Sequence, residues 1–303
     1  MENVKILHLF QWNIKDIINV LNEVKEQGFT AVLITSVQPF KNENEIDKWY
    51  WVYQPLALKI GNRFGTKEDL KELCSKANEI GLKVYVDVIV THFASSNNPM
   101  QLHEDVDKEL STNENFWKER KPIRDWEWED RWKVTNLCHG MPCTRTDNFD
   151  YQDLVIKFLN ELIECGVNGF RFDSGKSISL SEEDGNMFFD RVLDNLNHKD
   201  ELDIFAEVIF VNKDLADLYT KHINILTNSF VSDKTKAIVY VESHDSYLDK
   251  KIGVTRHMSS DMVVNEYEVL FKAGFVNTMF YARPFDDTWK SDRIREINKK
   301  YSK

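Results

Sequence analysis

Short apolar runs alternate along the chain with segments whose apolar residues recur every three or four positions. "VKILHLF" (4–10), "AVLITSV" (31–37) and "KVYVDVIV" (83–90) have the pattern of strands buried on both faces. "NGFRFD" (168–173), "DIFAEVI" (203–209), "AIVYVES" (237–243) and "VNTMFYA" (276–282) repeat it, and "ILTNSF" (225–230) is the weakest of the set. Between the first two runs, Ile14, Ile17, Ile18, Leu21 and Val24 share one helical face, with Gly28 placed to end the helix. Before the third run, Thr66 can cap a helix carrying Leu70, Leu73, Ala77 and Ile80, closed by Gly81. Eight strands with helices between them predict an α/β protein with a parallel sheet. At 303 residues the choice lies between a doubly wound sheet and a (β/α)8 barrel. No glycine-rich phosphate loop follows the first strand, which counts against a nucleotide-binding doubly wound sheet. The expectation is one (β/α)8 TIM barrel over residues 1–303.

Two stretches break the alternation. Residues 93–148, after the third strand, have little periodicity, and a loop of that length inside a compact domain predicts a small inserted subdomain. Only "VSDKTK" (231–236) separates the sixth and seventh strands. That is too short for a crossover helix, so helix six is expected to be missing.

The formal charge of −11, without a basic block, argues against nucleic acid or an anionic membrane as the main partner. No apolar run is long enough to span a bilayer. "MENVKILHLF" lacks the basic and apolar regions of a signal peptide, so a cytoplasmic location is expected. Cys74 and Cys165 fall on helical patterns and read as small apolar residues. Cys138 and Cys143, in "CHGMPC", have the spacing of a loop disulfide; no second pair of soft ligands follows at zinc spacing. The loop also holds Trp117, Trp126, Trp128 and Trp132. Indoles can stack on sugar rings, but a short excursion needs apolar mass of its own, and most of the four are assigned to its core.

In a (β/α)8 barrel, polar residues at the C-terminal strand ends are the candidates for chemistry. Strand three ends in Asp87 and His92, strand four in Arg171 and Asp173, strand five in Glu207, strand seven in His244 and Asp245. The two-residue spacing of Arg171 and Asp173 puts both on one face. A guanidinium there would hold its carboxylate neighbour ionised and oriented. Paired carboxyls flanking a cavity suit glycoside hydrolysis, one protonating the leaving oxygen and the other attacking or activating water.

These segments resemble the α-amylase family of glycoside hydrolases. The resemblance rests on "DVIVTH" (87–92), "GFRFDSGKS" (169–177), "AEV" (206–208) and "VESHD" (241–245), in family order, and on "YQP" (53–55) followed by "IGNRFGTKEDLKEL". It implies a retaining hydrolase of α-1,4-glucans that works through a covalent glycosyl-enzyme. Asp173 would be the nucleophile, Glu207 the general acid and base, and Asp245 the holder of sugar hydroxyls. Arg171 would orient Asp173, tied in place by Asp87. His92 and His244 would hydrogen-bond the sugar, Tyr53 would stack on it with Gln54 alongside, and Lys176 would contact the leaving-group side.

The chain also departs from that family. The positions matching the family's calcium ligands are Thr91, Cys143 and Ser177, which bring no carboxylate. The expectation is no calcium, hence no cofactor and no metal site. Ser243 stands where chloride-binding relatives have an asparagine, and only Arg283 in "YARP" could contribute, so chloride is not expected either. After strand eight only "TWKSDRIREINKKYSK" remains, enough for one helix and not for the family's β-sandwich, which suggests a minimal catalytic domain. An α-glucan transglycosylase or an α-glucosidase would use the same residues. A non-catalytic glycan-binding relative would be expected to have lost its carboxylates. Oligomeric state is not encoded in any of these features.

Overall fold

The computed structural model describes residues 1, 3–45, 48–249 and 255–302. Eight parallel strands close into a barrel in chain order. They are β1 (Lys5–Leu9), β2 (Ala31–Ile34), β3 (Lys83–Val88), β4 (Gly169–Phe172), β5 (Asp203–Glu207), β6 (Asn224–Leu226), β7 (Ala237–Tyr240) and β8 (Asn277–Tyr281). Each is shorter than its apolar run, because the residues after it already turn outward into the loops that form the mouth.

The two-residue period of the strands sorts their side chains into two cores. Leu7, Leu9, Val32, Ile34, Val84, Val86 and Val88 join one cluster with the helices, including Ile14, Ile17, Leu21 and Val24. Ile6, Leu33, Tyr85, Phe205, Ile238 and Met279 join a second, separate cluster in the barrel interior. Gly169 belongs where strands crowd: a Cβ there would lie 2.0 Å from the Asp203 carbonyl oxygen and 2.8 Å from the Tyr85 ring. Below it, the Asp203 carboxylate accepts from the Tyr85 hydroxyl at 2.5 Å and the Lys83 ammonium at 2.7 Å.

The predicted caps form. Helix Ile14–Glu26 ends before Gly28, whose φ of 81° is in the left-handed region. Helix Lys67–Glu79 starts at Thr66, whose hydroxyl and the Asp69 carboxylate make a reciprocal capping box. Among the described residues, β6 and β7 are joined without an α-helix, through the single 3-10 turn Lys234–Lys236.

The excursion after β3 runs to helix Phe149–Glu164 and contains only short helical turns, among them Lys108–Ser111 and Arg131–Asn136. It is pinned back to the barrel by a bridge between His92 and Cys143. The Cys138 and Cys143 thiols are free, donating to the Glu119 and Met141 carbonyls, each at 3.5 Å, so the loop disulfide that their spacing allows is not formed. The tryptophans correct the expectation of a loop core: Trp117 is buried, whereas Trp126 is 75% exposed, Trp128 41% and Trp132 64%. Phe116, Leu110 and Val106 supply the apolar mass that the other indoles were expected to provide.

Candidate active site

Inward-facing positions at the C-terminal strand ends carry the charges. The register sets Asp87 of β3 directly beside Arg171 of β4. Arg171 is 2% exposed, and its guanidinium meets three carboxylates: Asp87 Oδ1 at 2.6 Å, Asp173 Oδ1 at 3.2 Å and Glu207 Oε1 at 2.5 Å. Tyr53 donates its hydroxyl to the other Asp87 oxygen at 2.9 Å. Ser174 adopts a left-handed backbone with φ of 51°, an uncommon state for a non-glycine residue. That turn aims its amide at Glu207 Oε2, 3.1 Å away. Asp245 arrives differently, on the first turn of helix His244–Leu248, which Ser243 caps.

These groups face a cavity of about 460 Å³ lined by Asp173, Glu207, Asp245, Tyr53, Gln54, His92, Lys176 and Trp128. That is within the common size range of small-ligand sites.

Burial raises the Asp173 carboxyl well above the usual carboxylate range. Arg171 pulls it down, while Glu207, Asp87 and Asp245 push it further up. This differs from the expectation that the guanidinium keeps Asp173 ionised. The reason is that one buried cation is shared among three carboxylates, and desolvation outweighs the share that Asp173 receives. Burial also acts to raise Asp245, but the charge of His244 and a hydrogen bond from it, followed by Arg171, bring the net shift downward.

The structure brings Asp173, Glu207, Asp245, Arg171, Tyr53, Gln54, His92 and Lys176 to one mouth. Two histidines differ from their predicted use. His92 lines the cavity, but both ring nitrogens are occupied. Nε2–H donates to the Tyr53 carbonyl at 2.9 Å, and Nδ1 accepts from the Thr91 hydroxyl at 3.0 Å. No nitrogen of that ring is left for a sugar hydroxyl. His244 is 2% exposed and stacks between Phe10, at 4.3 Å, and Tyr53, at 5.2 Å between ring centres. Its Nε2 reaches Asp245 at 3.3 Å, so it orients that carboxylate from behind the cavity wall. Gln54 receives the Ser95 amide on Oε1 at 3.4 Å. The Lys176 ammonium donates to the Ile209 carbonyl at 3.3 Å and lies over the Trp128 ring, 5.3 Å from its centre.

Trp49, Tyr50, His139, Gly140 and Met141 also line the cavity and carry no motif of their own. The aromatic run "WYWVY" (49–53) was the available signal for the first two. The other three sit in the segment that cysteine spacing alone had marked.

Thr91, Cys143 and Ser177 do not fit calcium. The Thr91 hydroxyl is bonded to His92, and the Ser177 hydroxyl donates to the Ser174 carbonyl at 2.7 Å. The Cys143 thiol donates to the Met141 carbonyl at 3.5 Å, and none of the three supplies the charged oxygen that this ion favours. Arg283 is committed to Glu242, at 2.7 and 2.9 Å.

A closed (β/α)8 barrel with guanidinium-bound carboxyls at its C-terminal mouth has the build of a glycoside hydrolase. The chain matches the family described as alpha amylase, catalytic domain, over residues 12–269, and it belongs to that family. It is 29% identical over 279 residues to an alpha-amylase of Clostridium acetobutylicum, covering 81% of this chain and 36% of that one. It is 24% identical over 340 residues to an alpha-amylase of Butyrivibrio fibrisolvens, covering 92% of this chain and 34% of that one. The chain thus spans about a third of the length of these relatives. An Anoxybacillus alpha-amylase structure superposes with a TM-score of 0.73 at 16% identity, over 99% of this chain and 78% of that one, a likeness of fold. Among the described residues no helix is long and apolar enough to cross a membrane.

Proposed function

We propose that the chain hydrolyses α-1,4-glucosidic bonds of starch, glycogen or maltooligosaccharides with retention of configuration, acting in the cytoplasm and without a metal cofactor. One observation carries most of this: Arg171 holds Asp173 and Glu207 on neighbouring nitrogens of one guanidinium. Carboxyls that share a cation in this way are close neighbours, which suits the short separation of a retaining pair.

In this mechanism Asp173 attacks the anomeric carbon as Glu207 protonates the departing oxygen. Glu207 then takes a proton from water, which releases the sugar from Asp173. Asp245, oriented by His244, holds the sugar hydroxyls, and Tyr53 provides the apolar wall. Beyond Lys176 a second cavity of about 450 Å³ opens, lined by Trp128, Phe210 and Leu215. It supports further glucose units on the leaving-group side.

The deciding experiment incubates the chain and Asp173→Asn with a maltooligosaccharide series, with and without an added acceptor sugar. The wild type is expected to release shorter oligosaccharides of retained configuration, and the variant none. Equal activity of the two would remove the assignment. Products longer than the substrate would shift it to a transglycosylase, and binding without products to a glycan-binding relative.

A further inference from the structure

The excursion needs a reason to stay docked, and the calcium that relatives lead one to expect does not fit here. A fixed cation of the chain, Arg131, stands near those positions instead. Arg131, on the excursion, crosses to the turn after β4. It donates to the carbonyls of Lys176 and Ile178, on either side of Ser177, the latter at 3.2 Å. The same guanidinium grips Glu183 at 2.5 and 2.7 Å and the buried Tyr219 hydroxyl at 2.8 Å. Within the excursion itself, the Lys118 backbone amide donates to the Cys143 carbonyl at 2.9 Å and its side chain donates to the Thr135 carbonyl, which ties the excursion together behind Arg131.

The Arg131 contacts offer carbonyl oxygens of the turn after β4 to a cation on the excursion, the same chemistry by which a hard metal would join the two segments. The clamped turn bears on the cavity. Its Ser174 amide bonds Glu207, its Lys176 side chain forms part of the wall, and Gly175 packs so closely on β5 that a Cβ would lie 2.6 Å from that of Ala206. A guanidinium held by a bidentate carboxylate is a more directional fixture than an ammonium.

We infer that Arg131 takes the structural part of a calcium ion in this chain, pinning the excursion to the turn after β4 and thereby positioning Lys176 and the Ser174 amide. The positioning part rests on the hydrolase assignment; the structural part does not.

The test compares wild type, Arg131→Lys and Arg131→Gln for Tm, with EDTA or with calcium chloride. It also compares kcat and KM on maltoheptaose and on a small aryl maltoside whose leaving group does not reach Lys176. Wild-type Tm is expected to be indifferent to EDTA and calcium. Arg131→Gln should lower Tm by about 5 °C or more. It should lower kcat/KM on maltoheptaose at least about tenfold more than on the aryl substrate, with partial recovery in Arg131→Lys. A general loss of structure would lower both substrates alike. A fall of wild-type Tm in EDTA would overturn the inference. So would an Arg131→Gln protein with wild-type Tm and an unchanged substrate ratio. Should that variant fail to fold, Glu183→Gln, which frees the guanidinium from its carboxylate, is expected to show the same substrate bias at smaller size; wild-type Tm and kinetics in Glu183→Gln would overturn the inference. An inactive wild type would leave the Tm arms to decide the structural part on their own.

Discussion

Asp87 and Arg171 are register partners across β3 and β4, and their side chains meet inside the barrel at 2.6 Å. Asp87 is fully buried and also accepts the Tyr53 hydroxyl, so the pair joins the barrel floor to the cavity wall. Among the described residues, Arg171 is in turn the only cation paired with Asp87, Asp173 and Glu207. A buried ion pair is weak evidence for stability, but removing one partner leaves the other charge stranded.

Arg171→Met should therefore destabilise the fold by about 3–5 kcal/mol at neutral pH, the usual cost of breaking a buried pair. The loss should shrink in acid, as the stranded carboxyls take up protons. Urea denaturation at pH 7 and pH 4.5 checks both the size and the trend. An equal loss at the two pH values would show that shape, not charge, is what Arg171 contributes.

Asp173→Asn should lower kcat by about a thousandfold or more while leaving the fold intact. It should also raise Tm. The folded pKa of Asp173 is above its unfolded value, so the ionised form is the costly one in the native state. Its contribution to stability is present below the unfolded pKa and is lost as pH rises through the folded one. The Tm advantage of the variant should accordingly be small in acid and grow toward neutrality. A variant less stable than wild type at pH 7 would contradict the upward shift.

Much of this site can be read from residue order, because a strand's period of two and a barrel's parallel register are local rules. Asp87, Arg171, Asp173 and Glu207 are found where those rules place them. Arg131 was not legible: it lies in an aperiodic stretch, and its partner carbonyl at Lys176 is 45 residues away. The use of His92 was hidden for a related reason, since its partners are a backbone carbonyl and a neighbouring hydroxyl that no motif specifies. The exposed tryptophans were misassigned because composition counts apolar mass without saying which face of the loop carries it.

Trp128 and Phe210 flank the Lys176 ammonium at 5.3 and 5.9 Å between charge and ring centre. Phe210 is 75% exposed and is held in the left-handed region at φ 55° while its amide donates to Asn228. An aromatic kept in a strained, solvent-facing turn suits a platform for sugar rings more than a core. Trp128→Ala and Phe210→Ala should each raise KM for maltoheptaose by about two- to tenfold, the worth of one aromatic stacking contact. KM for maltotriose should change less. Equal effects on both substrates would place the rings outside the glucan path.

Acid should destabilise the native state through His92. Burial pushes its pKa down to about 4, with the Tyr53 carbonyl acting in the opposite direction. A histidine with a depressed folded pKa contributes stability that is present above its unfolded pKa of about 6.5 and is lost as pH falls through the folded value. Urea midpoints should therefore decline between pH 6.5 and about 4, where this ring must be charged against its surroundings. His92→Gln can still donate to the Tyr53 carbonyl but does not titrate, so its midpoint should decline less over the same interval. Parallel curves for the two proteins would assign the acid sensitivity to other groups.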